Sequence, residues 1–204
     1  MVTIVDYGAG NLTSVKNAFA ALGVETETVR DAKSVERAER VVFPGVGAAK
    51  SAMENLASLG LVDTVREAAA SGKPFLGICL GMQILFERSD EDGGVDTLGV
   101  VPGRVRRFPD VPGFKVPEIG WNDVRVRGEN AAELGPLVDG LEFYFVHSYY
   151  AEYPSEGRKN QVFSENNIPK YGRYFCSSIV SISAYSCSVI RRFASISAAI
   201  ERAA

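Results

Sequence analysis

"KPFLGICLGMQILF", Lys73 to Phe86, decides how this chain is read. The apolar run "PFLGI" predicts a buried strand, Gly77 and Gly81 flank Cys79 at a tight turn, and "LGMQILFER" predicts a helix over 80–88. An α/β fold presents a nucleophile in this way. Glycines let the backbone take a strained turn and let a substrate come close. A helix N-terminus behind the sulfur favours thiolate, and an unassisted thiol is only a few per cent ionised at neutral pH. The Leu80 N–H, at the start of that helix, can hold an oxyanion. A lone cysteine is more often an inert core residue. The pattern G-x-C-x-G-x-Q after a strand favours the functional reading.

Outward from this stretch, strands and helices alternate. "VTIVDY", 2–7, predicts a strand that ends at Gly8-Ala9-Gly10. Asn11 then caps a helix with Leu12, Val15, Phe19 and Leu22 at helical spacing, stopped by Gly23. "VETETV" alternates as a strand does, "ERVVFPGVG" reads as a buried strand entering a turn, and 51–72 hold one or two helices ending at Gly72. The alternation predicts a parallel sheet covered on both faces. "PGVG", Pro44 to Gly47, falls at the C-terminal end of a strand, the edge where α/β sheets bind ligands. It can supply a second oxyanion donor or be an ordinary turn. "GAGN", Gly8 to Asn11, lacks the third glycine and later acid of a dinucleotide loop, so it reads as a strand-to-helix turn.

The second half changes character. "LGVVPGRVRRFP", "FKVPEIGWNDVRV" and "LEFYFVHSYYAEY" predict antiparallel strands added to the parallel core. Arg104 to Phe108 read as a solvated strand edge. His147, the one histidine of the chain, sits among aromatics and reads as a packed residue rather than a catalyst. From about Lys159 the text turns Ser-, Ile- and Ala-rich, with one or two strands and a terminal helix as its weakly periodic content.

A chain of 204 residues with net charge −3 is expected to form one domain over 1–204. It has no basic footprint for nucleic acid and no apolar run near the roughly 20 residues of a membrane span. The opening enters a strand at once rather than a secretory signal, so a cytoplasmic location is expected. Cys79, Cys176 and Cys187 are odd in number and without metal-like spacing. Neither a metal site, a cofactor nor a disulfide framework is expected from them.

Together, "DYGAGN", "FPGVG", "GICLGMQILFE", "GWN" and "YFVHSYY" resemble, in this order, the glutamine amidotransferase subunit of imidazole glycerol phosphate synthase, a class I, triad-type amidotransferase. The resemblance covers roughly Met1 to Glu156. It implies a flavodoxin-like three-layer α/β sandwich, with a mostly parallel sheet and added antiparallel strands. It also implies hydrolysis of glutamine to glutamate and ammonia through a cysteine thioester. The ammonia is channelled to a cyclase partner in a heterodimer, which makes imidazole glycerol phosphate for histidine biosynthesis. On this resemblance Cys79 is the nucleophile, and Leu80, Val46 and Gly47 form the oxyanion hole after a peptide flip. Gln83 and Glu91 hold the polar end of glutamine, and Ser148 and Tyr149 line its pocket. His147 matches the histidine of the family's "HSY" segment, not the triad histidine. Glu118 stands where a histidine is common.

The tail departs from the family. The segment "QFHPEKS", which supplies the triad histidine and its glutamate, has no counterpart. No histidine follows His147, and no glutamate lies between Glu165 and Glu201. Residues 159–204 are aberrant relative to the family. Two alternative readings follow: the tail is corrupted by a frameshift, or the chain is a real but disabled amidotransferase kept as a binding or regulatory subunit. A third reading makes His147 the base of a different cysteine hydrolase.

Overall fold

The structure, a computed structural model, describes residues 1–127, 140, 142–152, 161–164, 174–175 and 179–181. The first half runs β1 (Val2–Val5), α1 (Leu12–Ala21), β2 (Thr26–Val29), α2 (Ala32–Arg37), β3 (Val41–Gly45), α3 (Ala49–Ser58), α4 (Val62–Ala70), β4 (Phe75–Cys79) and α5 (Leu80–Gln83). The second half runs β5 (Phe86–Ser89), β6 (Val95–Asp96), β7 (Val101–Arg107), β8 (Glu118–Arg127), β9 (Glu142–His147), β10 (Tyr149–Glu152), β11 (Gln161–Ser164), β12 (Tyr174–Phe175) and β13 (Ile179–Ser181).

Among the described residues, one sheet has the order β13-β4-β3-β1-β2. Its β1, β2, β3 and β4 are parallel, and β13 pairs antiparallel with β4. Successive side chains on a strand face opposite ways, and both faces are covered. Val2, Ile4, Val42 and Leu76 pack against Val15 and Phe19 of α1. Val5, Phe43 and Phe75 pack against Leu56 and Val65 of α3 and α4. That is the three-layer α/β sandwich expected. Each fully buried side chain of this kind contributes roughly 1.5–3 kcal/mol of transfer free energy.

Capping follows the sequence closely. The Asn11 side chain accepts from the Ser14 N–H at 3.1 Å, so "GAGN" is a strand-to-helix turn. Residues 51–72 hold parts of two helices, and α4 ends just before Gly72. α2 was not anticipated, although Asp31 caps it by accepting from the Ser34 N–H at 3.0 Å.

Among the described residues, strands β5 to β12 form a sheet of their own, in the order β6-β5-β7-β10-β12-β11-β8-β9, antiparallel throughout except for the parallel pair β5 and β7. Two expectations are corrected there. The helix expected over 80–88 stops at Gln83, and the chain re-enters a strand at Phe86. Tertiary hydrogen bonds decide it. The N–H groups of Leu98, Gly99 and Val100 donate to the carbonyls of Ile84, Phe86 and Leu85 at 2.9, 2.8 and 2.9 Å. Those three residues are fully buried. Nor are Arg104 to Phe108 a strand edge. β7 lies between β5 and β10, with Val105 buried, while Arg104 and Arg106 pair with Glu152 on β10. The terminal helix expected in the tail lies outside the described residues.

Candidate active site

Cys79 ends β4 and begins α5 with φ 52° and ψ −119°. A side chain other than glycine seldom takes a positive φ. The surroundings enforce it here. A Cβ on Gly81 would collide with the Phe43 carbonyl oxygen, and one on Gly77 would come within 2.8 Å of the Met82 Cα. Gly81 therefore lets the start of α5 lie against β3, and Gly77 lets it lie against β4. Gly45, the last residue of β3, is the register partner of Cys79. Val46 and Gly47 follow it as an exposed turn.

The electrostatics correct one expectation. The Cys79 thiol is held above its ordinary range by burial first, and further by the Glu91 carboxylate. The Leu80 N–H acts the other way. α5 is a single turn, so it brings little of the helix dipole that the longer helix was expected to bring. Cys79 thus rests as a protonated thiol with a backbone donor beside its sulfur.

Other anticipated residues converge on the same place. The Glu91 carboxylate accepts the Ala49 N–H at 2.7 Å and so caps α3, whose Ala48 N-cap has no side-chain bond of its own. It also acts on Tyr149, whose hydroxyl pKa is raised by burial and then by Glu91. Gln83 is buried, and its side-chain amide donates to the Tyr149 carbonyl at 3.4 Å, which links α5 to β10. Ser148 enters the described contacts through its carbonyl, which accepts from the Phe108 N–H at 3.0 Å.

His147 is placed otherwise. Its ring packs against Phe108 and Phe145 with centroids 5.1 and 5.7 Å away, and Nδ1 lies 2.8 Å from the Tyr149 carbonyl. Burial lowers its pKa. These described contacts are those of a packed aromatic-core residue, the reading the sequence favours for His147.

Tyr7 was missed by sequence reasoning. It is buried behind the elbow with its ring 4.9 Å from that of Phe43, and it is electrostatically coupled to Cys79. Nothing in "DYG" signals this, because the contact depends on how β1 and β3 lie together.

The chain matches the family described as glutamine amidotransferase class-I over residues 3–169. The chain belongs to that family. Relatives place it among the HisH-type amidotransferases. "Imidazole glycerol phosphate synthase subunit HisH" of Listeria monocytogenes serotype 4a (strain HCC23) is 43% identical over 156 residues, 76% of this chain and 74% of that protein. The protein of the same name from Dehalococcoides mccartyi (strain CBDB1) is 41% identical over 181 residues, covering 89% and 84%. "Imidazole glycerol phosphate synthase hisHF, chloroplastic" of Arabidopsis thaliana is 43% identical over 88% of this chain, which spans 29% of that longer protein. In fold, the amidotransferase resembles a solved glutamine amidotransferase, with TM-score 0.60, 23% identity and 77% of each chain covered. These relatives favour the amidotransferase reading over that of a disabled chain. Among the described residues there is no metal-binding cluster and no helix long and apolar enough to cross a membrane.

Proposed function

We propose that this amidotransferase is the glutaminase subunit of an imidazole glycerol phosphate synthase, working in the cytoplasm. It hydrolyses glutamine at Cys79 and passes ammonia to a cyclase subunit. The observation that carries this is the strained elbow at Cys79, with a backbone donor at its sulfur and Gln83, Glu91 and Tyr149 gathered around it.

The residues divide the work by charge. Gln83 and Glu91, the latter an anion suited to the substrate's α-ammonium, hold the polar end of glutamine, and Ser148 and Tyr149 line the pocket. The Cys79 sulfur attacks the side-chain amide carbon. The oxyanion is received by the Leu80 N–H and by the turn at Val46 and Gly47, and one such donor is commonly worth about 3 kcal/mol of barrier. The carbon–nitrogen bond then breaks, and the proton that leaves Cys79 ends on the departing ammonia. Water next attacks the thioester, releasing glutamate and restoring the thiol. A thiol held protonated by burial keeps that proton at hand until the attack. No histidine follows His147 to relay it, and loss of a triad histidine costs on the order of 10⁴- to 10⁶-fold in turnover. A slow, Cys79-dependent turnover is the expected behaviour.

The partner surface is supported by β8 and β9. Phe143 and Phe145 face the core, while Ile119, Trp121, Tyr144 and Val146 are between 41% and 59% exposed. Ile119 pairs with Val146 and Trp121 with Tyr144 across the ladder, which joins the four into one apolar strip. Contiguous apolar strips of this kind mark interaction sites. The proposed occupant is the cyclase subunit. The Arabidopsis synthase, of which this chain spans 29%, has ample further chain for such a second activity.

The test is ammonia release from glutamine by the purified chain mixed with a cyclase subunit. Release that disappears in Cys79→Ala is the expected result. Equal release from the variant would overturn the assignment of the nucleophile.

A further inference from the structure

The opening motif "DYGAGN" is the one stretch whose chemistry the proposed reaction leaves unused. Its Tyr7 is 1% exposed, and its hydroxyl has no hydrogen-bond partner among the described residues. Buried polar groups are nearly always paired, and an exception calls for an explanation. The position of the oxygen supplies one. A Cβ on Gly45 would collide with the Tyr7 hydroxyl and come within 2.7 Å of the Gly81 N and 3.1 Å of the Leu80 Cβ. The phenol oxygen therefore lies against the Cα of Gly45, where the oxyanion turn, the first turn of α5 and the strand end carrying Cys79 meet. Gly45 is the residue paired with Cys79 in the ladder.

We propose that the Tyr7 hydroxyl is a reserved donor whose acceptor is the Cys79 thiolate formed during the reaction. In the resting thiol the donor waits unpaired. As negative charge develops on sulfur, Tyr7 and the Leu80 N–H share it from two sides. A donor to the charged form favours ionisation, so Tyr7 opposes the two influences that hold the thiol protonated, burial and Glu91. The phenol cannot compete for the role of anion, because burial and the nearby sulfur push its own pKa well up. It remains O–H throughout. The Glu91 carboxylate and the Tyr7 hydroxyl both lie within electrostatic reach of the Cys79 sulfur.

This inference rests on the nucleophile assignment, but its test does not require turnover. The full-length chain is alkylated with iodoacetamide across a pH series, and modification of the Cys79 peptide is read by mass. The carbon–sulfur bond forms, iodide leaves, and the thiol proton goes to solvent. Tyr7→Phe keeps the ring and removes only the donor. Its alkylation midpoint is expected to rise by about half to one pH unit, with the limiting rate at high pH unchanged. Replacing Tyr7 with 3,5-difluorotyrosine, a stronger donor of nearly the same shape, is expected to move the midpoint down. Midpoints that do not move in either variant overturn the inference, as does a fall in Tyr7→Phe. Opposite shifts in a chain that releases no ammonia would keep the role of Tyr7 and remove the glutaminase reading instead.

Discussion

The end of β4 and the β8–β9 ladder are both strand regions, yet they are built in opposite ways. At Cys79 every small volume is accounted for: Gly45, Gly77 and Gly81 each stand where a single methyl group would strike backbone or a buried side chain. On β8 and β9, Trp121 and Tyr144 meet edge-to-face at 5.7 Å and remain exposed. The first region fixes an atom in space. The second offers area. Catalysis needs the former, because a misplacement of about 1 Å can cost roughly 100-fold. Association needs the latter, where a few aromatic anchors carry most of the affinity.

The widest contrast lies within one ladder. Phe145 is fully buried, whereas Trp121 on the neighbouring strand is 53% exposed. Phe145→Ala is expected to destabilise the chain by about 3–5 kcal/mol, seen as an earlier urea midpoint. Trp121→Ala is expected to leave that midpoint within about 0.5 kcal/mol. It should instead weaken binding of the cyclase subunit by about 2 kcal/mol, roughly 30-fold in Kd. If both variants lower stability equally, the strip is part of a core and not an interface.

A methyl group sharpens the comparison from the other side. Gly81→Ala drives a Cβ into the Phe43 carbonyl, which is backbone and cannot swing away. The expected cost is about 1–3 kcal/mol, or several degrees in Tm for a chain of this size. Ammonia release should fall further than stability, because the displaced element carries Leu80 and Gln83. A loss of ammonia release no larger than the loss of stability would mean that the elbow tolerates displacement.

What the sequence disclosed follows the same division. The parallel half is legible because strands buried on both faces read as unbroken apolar runs, as in "PFLGI" and "RVVFPG". The elbow is legible because only glycine fits beside Cys79. The strand at Phe86 was not legible, since "LGMQILFER" satisfies helical spacing and is overruled by hydrogen bonds from residues 98–100. Glu91 was anticipated from resemblance, but not its bond to the Ala49 N–H, which joins residues 42 positions apart. Tyr7 left no local signal at all. Residues whose role is set by their own turn can be read, whereas residues whose role is set by a distant neighbour cannot.

The smallest expected effect uses the single histidine. His147 is packed between Phe108 and Phe145, and burial holds its pKa below the ordinary 6.5. The unfolded chain therefore binds a proton at a higher pH than the folded chain does. Stability rises with pH wherever the unfolded state holds more protons. The contribution of His147 is thus complete above about pH 6.5 and is lost as pH falls through that value toward the folded pKa. Glu118, its partner across the β8–β9 ladder, has a pKa raised by burial and works in the opposite sense, losing stability as pH rises through its own lower range. Comparing the chain with His147→Gln removes the Glu118 background to first order. The Tm of the parent is expected to fall more than that of the variant between pH 7 and 5.5, by about 2 °C or less. A parent that gains stability relative to His147→Gln on acidification would mean that the imidazole is charged in the folded state. The ring would then belong with the solvated strip on the other face of β9 rather than with the aromatic core.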